Sequence, residues 1–222
     1  MCAQYTVYSE EEIIEMRRII DEISKRFGDQ AVKTGIIRRT DTAPVLTIGG
    51  HRLAPVPASF GFPKWWGGGG VIVNARRETA LDKAVFSKPL LSRRCVVPST
   101  GFLEGAHASA LERQMSMFPM DAGEKEGEQK ASGPKVQLLF NRPGESMLYM
   151  AGMLGTFSDD RGGVKDAFCI LTTQAKHAIA KFHDRMPVIL SPDEREDWIN
   201  SESFMREVLA RDGQELVWRL AG

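Results

Sequence analysis

Cysteine is scarce in this chain: Cys2, Cys95 and Cys169 are an odd number with no metal-like spacing. That argues against a disulfide framework and a cysteine-based metal centre, and fits a reducing interior. An excess of charge of either sign is absent too, since 29 basic residues face 29 acidic ones. No global field therefore draws the chain to nucleic acid, and any such contact must come from a local basic patch. No apolar run approaches the roughly 18–20 residues of a membrane span, and the start shows no signal-type apolar segment. The cytoplasm is the expected compartment, and no membrane partner is expected. The run Gly67 to Gly70 lacks the Gly-Lys-Ser/Thr ending of a phosphate loop. No metal or other cofactor is expected.

What is present suits one domain over residues 1–222 with a sizeable core. Apolar residues at Ile13, Met16, Ile20, Ile23 and Phe27 recur at helical spacing, with a capping-box pattern at Ser9 to Glu12 before them and Gly28 after. Strand patterns follow. Val45–Ile48 meets Gly49-Gly50 and returns through His51, a hairpin signal that makes His51 a solvated turn residue. Val71–Val73 reads as a buried strand ending at Asn74. Val136–Phe140 and Met147–Gly152 flank a turn at Asn141 to Gly144 and read as a second hairpin. Phe168–Leu171 reads as a core strand. Ser191-Pro192 starts a helix to Ile199, Ser203–Arg211 a second helix, and Glu215–Leu220 a last strand. The stretch from about 105 to 135 loses periodicity and is expected to be a flexible insertion, with His107 as a loop residue.

Several positions carry chemistry. Trimming of Met1 would leave Cys2 with a free α-amine and a thiol, which titrate near about 8 and 8.5. Asn74 and Arg76, two apart at a strand end, can present an amide and a guanidinium on one face, and the planar fork of Arg suits a phosphate. Glu104 closes the apolar run Gly101-Phe102-Leu103, where desolvation raises a carboxyl pKa and suits it to proton transfer. His183 and Arg185 stand two apart before the strand Val188–Leu190, and histidine changes charge most readily near neutral pH. Trp65 and Trp66 cannot both face one core from a strand, which leaves one as a stacking platform for a base. Cys95 and Cys169 sit in apolar runs and read as core residues.

Together these segments resemble the SRAP family, the SOS-response-associated peptidase or abasic-site-processing proteins. The resemblance rests on Cys2, Asn74-Ala75-Arg76-Arg77-Glu78-Thr79, Arg94-Cys95-Val96-Val97-Pro98-Ser99-Thr100-Gly101-Phe102-Leu103-Glu104, Leu171-Thr172-Thr173 and His183-Asp184-Arg185-Met186-Pro187, in that order. It implies an α+β fold with a mostly antiparallel, barrel-like β core, flanking helices and a positively charged groove. It implies a covalent reaction with the ring-opened aldehyde of an abasic site in single-stranded DNA, by a monomer. Cys2 would be the nucleophile forming a thiazolidine at the sugar, and Asn74 would orient it. Glu104 and His183 would move protons. Arg76 and Arg185 would bind the flanking phosphates, Trp65 or Trp66 would stack beside the missing base, and Pro44 and Thr172 would line the groove. The family is also described as a thiol autopeptidase, and a Schiff-base intermediate would allow lyase chemistry.

The chain departs from the family pattern at Cys2-Ala3-Gln4, which lacks the usual arginine, at Phe60-Gly61-Phe62, and at Leu103-Glu104-Gly105, which lacks a flanking aromatic. Two other readings stand beside the crosslinking one. A thiol peptidase acting on proteins would use Cys2, His183 and Glu104. A non-catalytic reader of single-stranded or modified DNA would use Arg76, Arg185 and the tryptophans without Cys2.

Overall fold

The computed structural model describes residues 3–8, 13–50, 52–64, 69–108, 111, 133–158 and 163–221. Cys2, His51, Trp65, Trp66, the capping pattern at 9–12 and most of the insertion lie outside the described residues.

In chain order the strands are β1 (Gln4–Val7), β2 (Gly35–Ile37), β3 (Thr42–Gly49), β4 (Arg52–Phe60), β5 (Phe62–Pro63), β6 (Val71–Ile72), β7 (Asn74–Arg76), β8 (Arg94–Ser99), β9 (Gly101–His107), β10 (Lys135–Asn141), β11 (Leu148–Ser158), β12 (Val164–Gln174), β13 (Arg185–Pro187), β14 (Ile189–Leu190) and β15 (Val217–Leu220). The described helices are α1 (Ile14–Phe27), α2 (Ala84–Ser92), α3 (Arg195–Asn200) and α4 (Glu202–Ala210). The fold is α+β, as expected.

One sheet closes on itself: β12 pairs β4, β4 pairs β3, β3 pairs β8, β8 pairs β11, and β11 returns to β12. The closed ring leaves these strands no open edge, and β7, β13 and β14 attach to its rim. A second, five-stranded sheet runs β15-β10-β9-β1-β2. The chain passes from ring to second sheet at Gly101, where φ is +148° and a Cβ would lie 2.9 Å from the Phe140 carbonyl oxygen. Only glycine fits that corner without moving backbone. Helix α1 follows the 3.6-residue rule, burying Met16, Ile19 and Ile23 against β3 and β4. Buried Trp198 of α3 donates its Nε1–H to the Cys95 carbonyl at 2.9 Å and so ties that helix to β8.

Three expectations change. The segments on either side of Asn141 to Gly144 do not form a hairpin: β10 belongs to the second sheet and β11 to the ring. Asn141 donates to the Thr100 carbonyl at 2.7 Å, so the turn region is anchored to the crossover near Gly101. Residues Asn74–Arg76 are a strand themselves, paired in parallel with β12, and Val71–Ile72 is only half-buried. The stretch after Glu104 begins as ordered strand: β9 continues to His107, opposite Lys135 in β10. His107 is thus a strand end, with Nδ1 3.2 Å from the Gly133 carbonyl. Among the described residues no helix is long and apolar enough to cross a membrane.

Candidate active site

Glu104 owes its environment to strand alternation. Phe102, Glu104 and Ala106 share one face of β9. In register beside them, Leu138 and Phe140 of β10 lie opposite Glu104 and Phe102. Phe102 and Phe140 stack at 5.2 Å, Phe140 meets Phe182 edge-on at 6.1 Å, and Phe182 meets Trp218 at 5.4 Å. An apolar row therefore seats Phe182 over this face, and the next residue is His183. Glu104 is 8% exposed. Burial pushes its carboxyl pKa up, and the His183 charge pulls it partly back. The structure thus brings together the two proton carriers expected from sequence, although 79 positions separate Glu104 from His183 in the chain.

His183 is held from its backbone side. The Arg185 N–H donates to His183 Nδ1 at 3.0 Å, which leaves the ring proton of the neutral imidazole on Nε2. Asp184 Oδ1 lies 2.9 Å from the same Nδ1. One nitrogen cannot accept from Arg185 and donate to Asp184 at once. The neutral ring takes the first contact and a protonated ring the second.

Strand β1 pairs with the strand that carries Glu104. Gln4, the first residue of β1, stands opposite Leu103, immediately before Glu104. Gln137 donates to its side-chain oxygen at 3.0 Å. The two other cysteines are unsuited to attack. Cys95 and Cys169 are fully buried, burial pushes both thiols up, Cys169 to about 12, and Cys169 donates to the Ile72 carbonyl at 2.7 Å.

The basic residues divide. Strand β7 brings half-buried Asn74 opposite Ile170 and exposed Arg76 opposite Thr172 of β12. Arg76 makes no ion pair among the described residues and is open to a phosphate. Arg185 is placed otherwise. It is 8% exposed, donates to both Glu78 carboxylate oxygens at 3.0 and 2.8 Å, and donates to the Thr172 carbonyl at 2.6 Å. As found, it locks β13 to β12 and to the turn after β7, and does not present an open fork to solvent. Thr172 is fully buried, its hydroxyl donating to the Ala75 carbonyl at 3.4 Å, and Pro44 is buried in β3 opposite Pro57. Neither lines an open groove in this state. Among the described residues no cluster of His, Cys, Asp or Glu could hold a metal ion.

Sequence reasoning missed Glu78 and Asp184. Both lie inside the motifs already singled out, yet the partner of Glu78 lies 107 residues further on.

A family model described as SOS response associated peptidase (SRAP) matches residues 1–219. The chain belongs to this family. It is 24% identical over 213 residues to the abasic site processing protein YoaM of Bacillus subtilis (strain 168), a match covering 94% of this chain and 83% of that protein. It is 25% identical over 215 residues to the abasic site processing protein YoqW of the same organism, covering 91% of this chain and 82% of that protein. A crystal structure of a protein from Bacteroides thetaiotaomicron shares the fold with a TM-score of 0.69 at 20% identity, over 99% of this chain and 91% of that one.

Proposed function

We propose that this protein captures abasic sites in single-stranded DNA by a covalent bond from Cys2 to the ring-opened sugar. The observation that carries the proposal is the buried Glu104 beside His183, next to Gln4, the first residue of β1. The relatives named as abasic site processing proteins support the same substrate.

The proposed chemistry gives each residue a task. The Cys2 amine attacks the aldehyde carbon and gives a carbinolamine. Protonated Glu104, kept neutral to higher pH by burial, hands a proton to the departing hydroxyl, and water leaves as the Schiff base forms. The thiol then adds across the C=N bond, sulfur to carbon and its proton to nitrogen, closing a thiazolidine. The sum is aldehyde plus aminothiol giving thiazolidine plus one water. His183, with Nε2 carrying the ring proton, relays protons between these steps. From the same Schiff base, removal of a C2′ proton would expel the 3′ phosphate, which is the lyase route. Release of Met1 by the chain's own thiol would be the autopeptidase activity, and it must come first because the α-amine is blocked until then.

The test is a denaturing gel of the Met1-trimmed protein with single-stranded DNA carrying one abasic site. A shifted band that survives denaturant, and is absent for Cys2→Ala, supports capture. A band of equal strength in Cys2→Ala would rule it out.

A further inference from the structure

Glu78 stands between two arginines. Its carboxylate accepts both Arg185 hydrogen bonds, and its Oε1 lies 3.7 Å from Arg77 Nε. The side chains of Arg185 and Arg77 are 9% and 13% exposed, whereas that of Glu78 is 42% exposed. The carboxylate is thus the outermost member of the cluster, and exposed Arg76 adjoins it in the chain. Arg185 and Arg77 keep Glu78 ionised below the usual carboxylate range, against the opposing effect of its partial burial.

Two guanidiniums share one carboxylate, and one carboxylate cannot satisfy both. Arg77 Nε and Nη1 and Arg185 Nε are buried without a hydrogen-bond acceptor among the described residues. Buried donors left unmet are costly. A phosphate, with more acceptor oxygens, would be drawn to such a cluster, yet Glu78 lies on its solvent side and cancels one of the positive charges.

We propose that Glu78 is a selectivity residue: by offsetting one charge of the Arg185–Arg77 pair it keeps the hold on intact single-stranded DNA weak, so that retention depends on reaction at a lesion. The inference rests on the reading of the chain as a protein of single-stranded DNA. Intact strands vastly outnumber lesions, and a strong backbone attraction would hold the protein on undamaged DNA. An anion on the solvent side of the cluster lowers that attraction without adding a group to the reacting site.

Binding of an undamaged, fluorescently labelled single strand, followed by anisotropy against salt, tests this. Each phosphate-facing cation adds about 0.7 to the slope of log affinity against log salt on single strands. Glu78→Gln and Glu78→Ala should each steepen the slope by about 0.7, so that the affinity gained between about 200 and 50 mM salt grows ~2.6-fold beyond the wild-type gain. The two variants should agree, because the charge and not the size of residue 78 is what matters. An unchanged or shallower slope in a folded variant overturns the proposal, as does disagreement between the two variants. If both variants lose their cooperative thermal transition, Glu78 is a structural counter-ion and the proposal also falls. A wild type that forms no Cys2-dependent adduct with abasic single-stranded DNA would instead sink the DNA reading, which keeps the two failures apart.

Discussion

Arg185 donates two hydrogen bonds to Glu78, of 3.0 and 2.8 Å, across 107 residues of sequence. The same guanidinium grips the Thr172 carbonyl, and the Arg185 backbone N–H holds the ring of His183. One side chain thus fixes the turn after β7, the end of β12 and the segment that carries a proposed proton carrier. Arg185→Lys keeps the charge and loses the fork. The expected result is a crosslinking rate lowered about tenfold or more, with a nearly unchanged salt dependence of binding. A marked fall in the salt slope would mean that the Arg185 charge does reach DNA in the free protein.

Arg76 is the contrasting case, exposed at the end of β7. Arg76→Ala should reduce the salt slope of single-strand binding by about 0.7 and weaken binding at low salt, while the folded state keeps its thermal midpoint. Equal slopes for the two proteins would remove Arg76 from the interface.

Glu104 carries a linkage prediction. Burial raises its folded-state pKa above the ordinary carboxylate value of about 4.3. As pH rises through that ordinary value the unfolded chain releases its proton first, while the folded state still holds it. Folded protein therefore binds more protons across this window, and stability falls with rising pH until the folded group ionises. Glu104→Gln cannot ionise. It should equal wild type in stability at low pH, exceed it increasingly above about pH 5, and crosslink slowly with a flattened pH–rate profile. Denaturant melts across pH, with rates measured in parallel, check both. A stability difference that does not change with pH would refute the raised pKa.

How much of this could be read from the sequence follows from the range of each interaction. The burial of Glu104 was legible, because an apolar Gly-Phe-Leu run and the alternation of a strand are local. The pairing of Arg185 with Glu78 was not, since no pattern in either segment names a partner so far away. The expected hairpin around Asn141 failed for the same reason: its turn residues suit a hairpin, but β10 finds its partners in β9 and β15, and β11 finds its own in β8 and β12. Helix α2 gave little signal, being short, without charge periodicity, and interrupted by Pro89. The family motifs singled out Asn74, Glu104 and His183; only the fold shows what surrounds each of them.

Arg94 supports the scaffold. It is 6% exposed and donates to the carbonyls of Leu90, Leu91, Trp198 and Ile199, which closes the ends of α2 and α3 on β8. Arg94→Leu would leave those helix-end carbonyls buried without donors. A loss of about 3 kcal/mol or more is expected, read as a lower denaturant midpoint at unchanged m-value. A loss below about 0.5 kcal/mol would show that water takes over the carbonyls.

The central claim is that Cys2 is the bonding residue and that it closes a ring. Mass spectrometry of the digested adduct tests it most directly. Trimmed protein is reacted with single-stranded DNA bearing one abasic site, then digested, and the N-terminal peptide is weighed with and without borohydride. The account predicts an adduct on the peptide beginning at Cys2, equal to peptide plus DNA remnant less one water, and unchanged by borohydride because a thiazolidine has no C=N bond to reduce. An adduct on a lysine, or one on Cys2 that gains two hydrogens with borohydride, would contradict it.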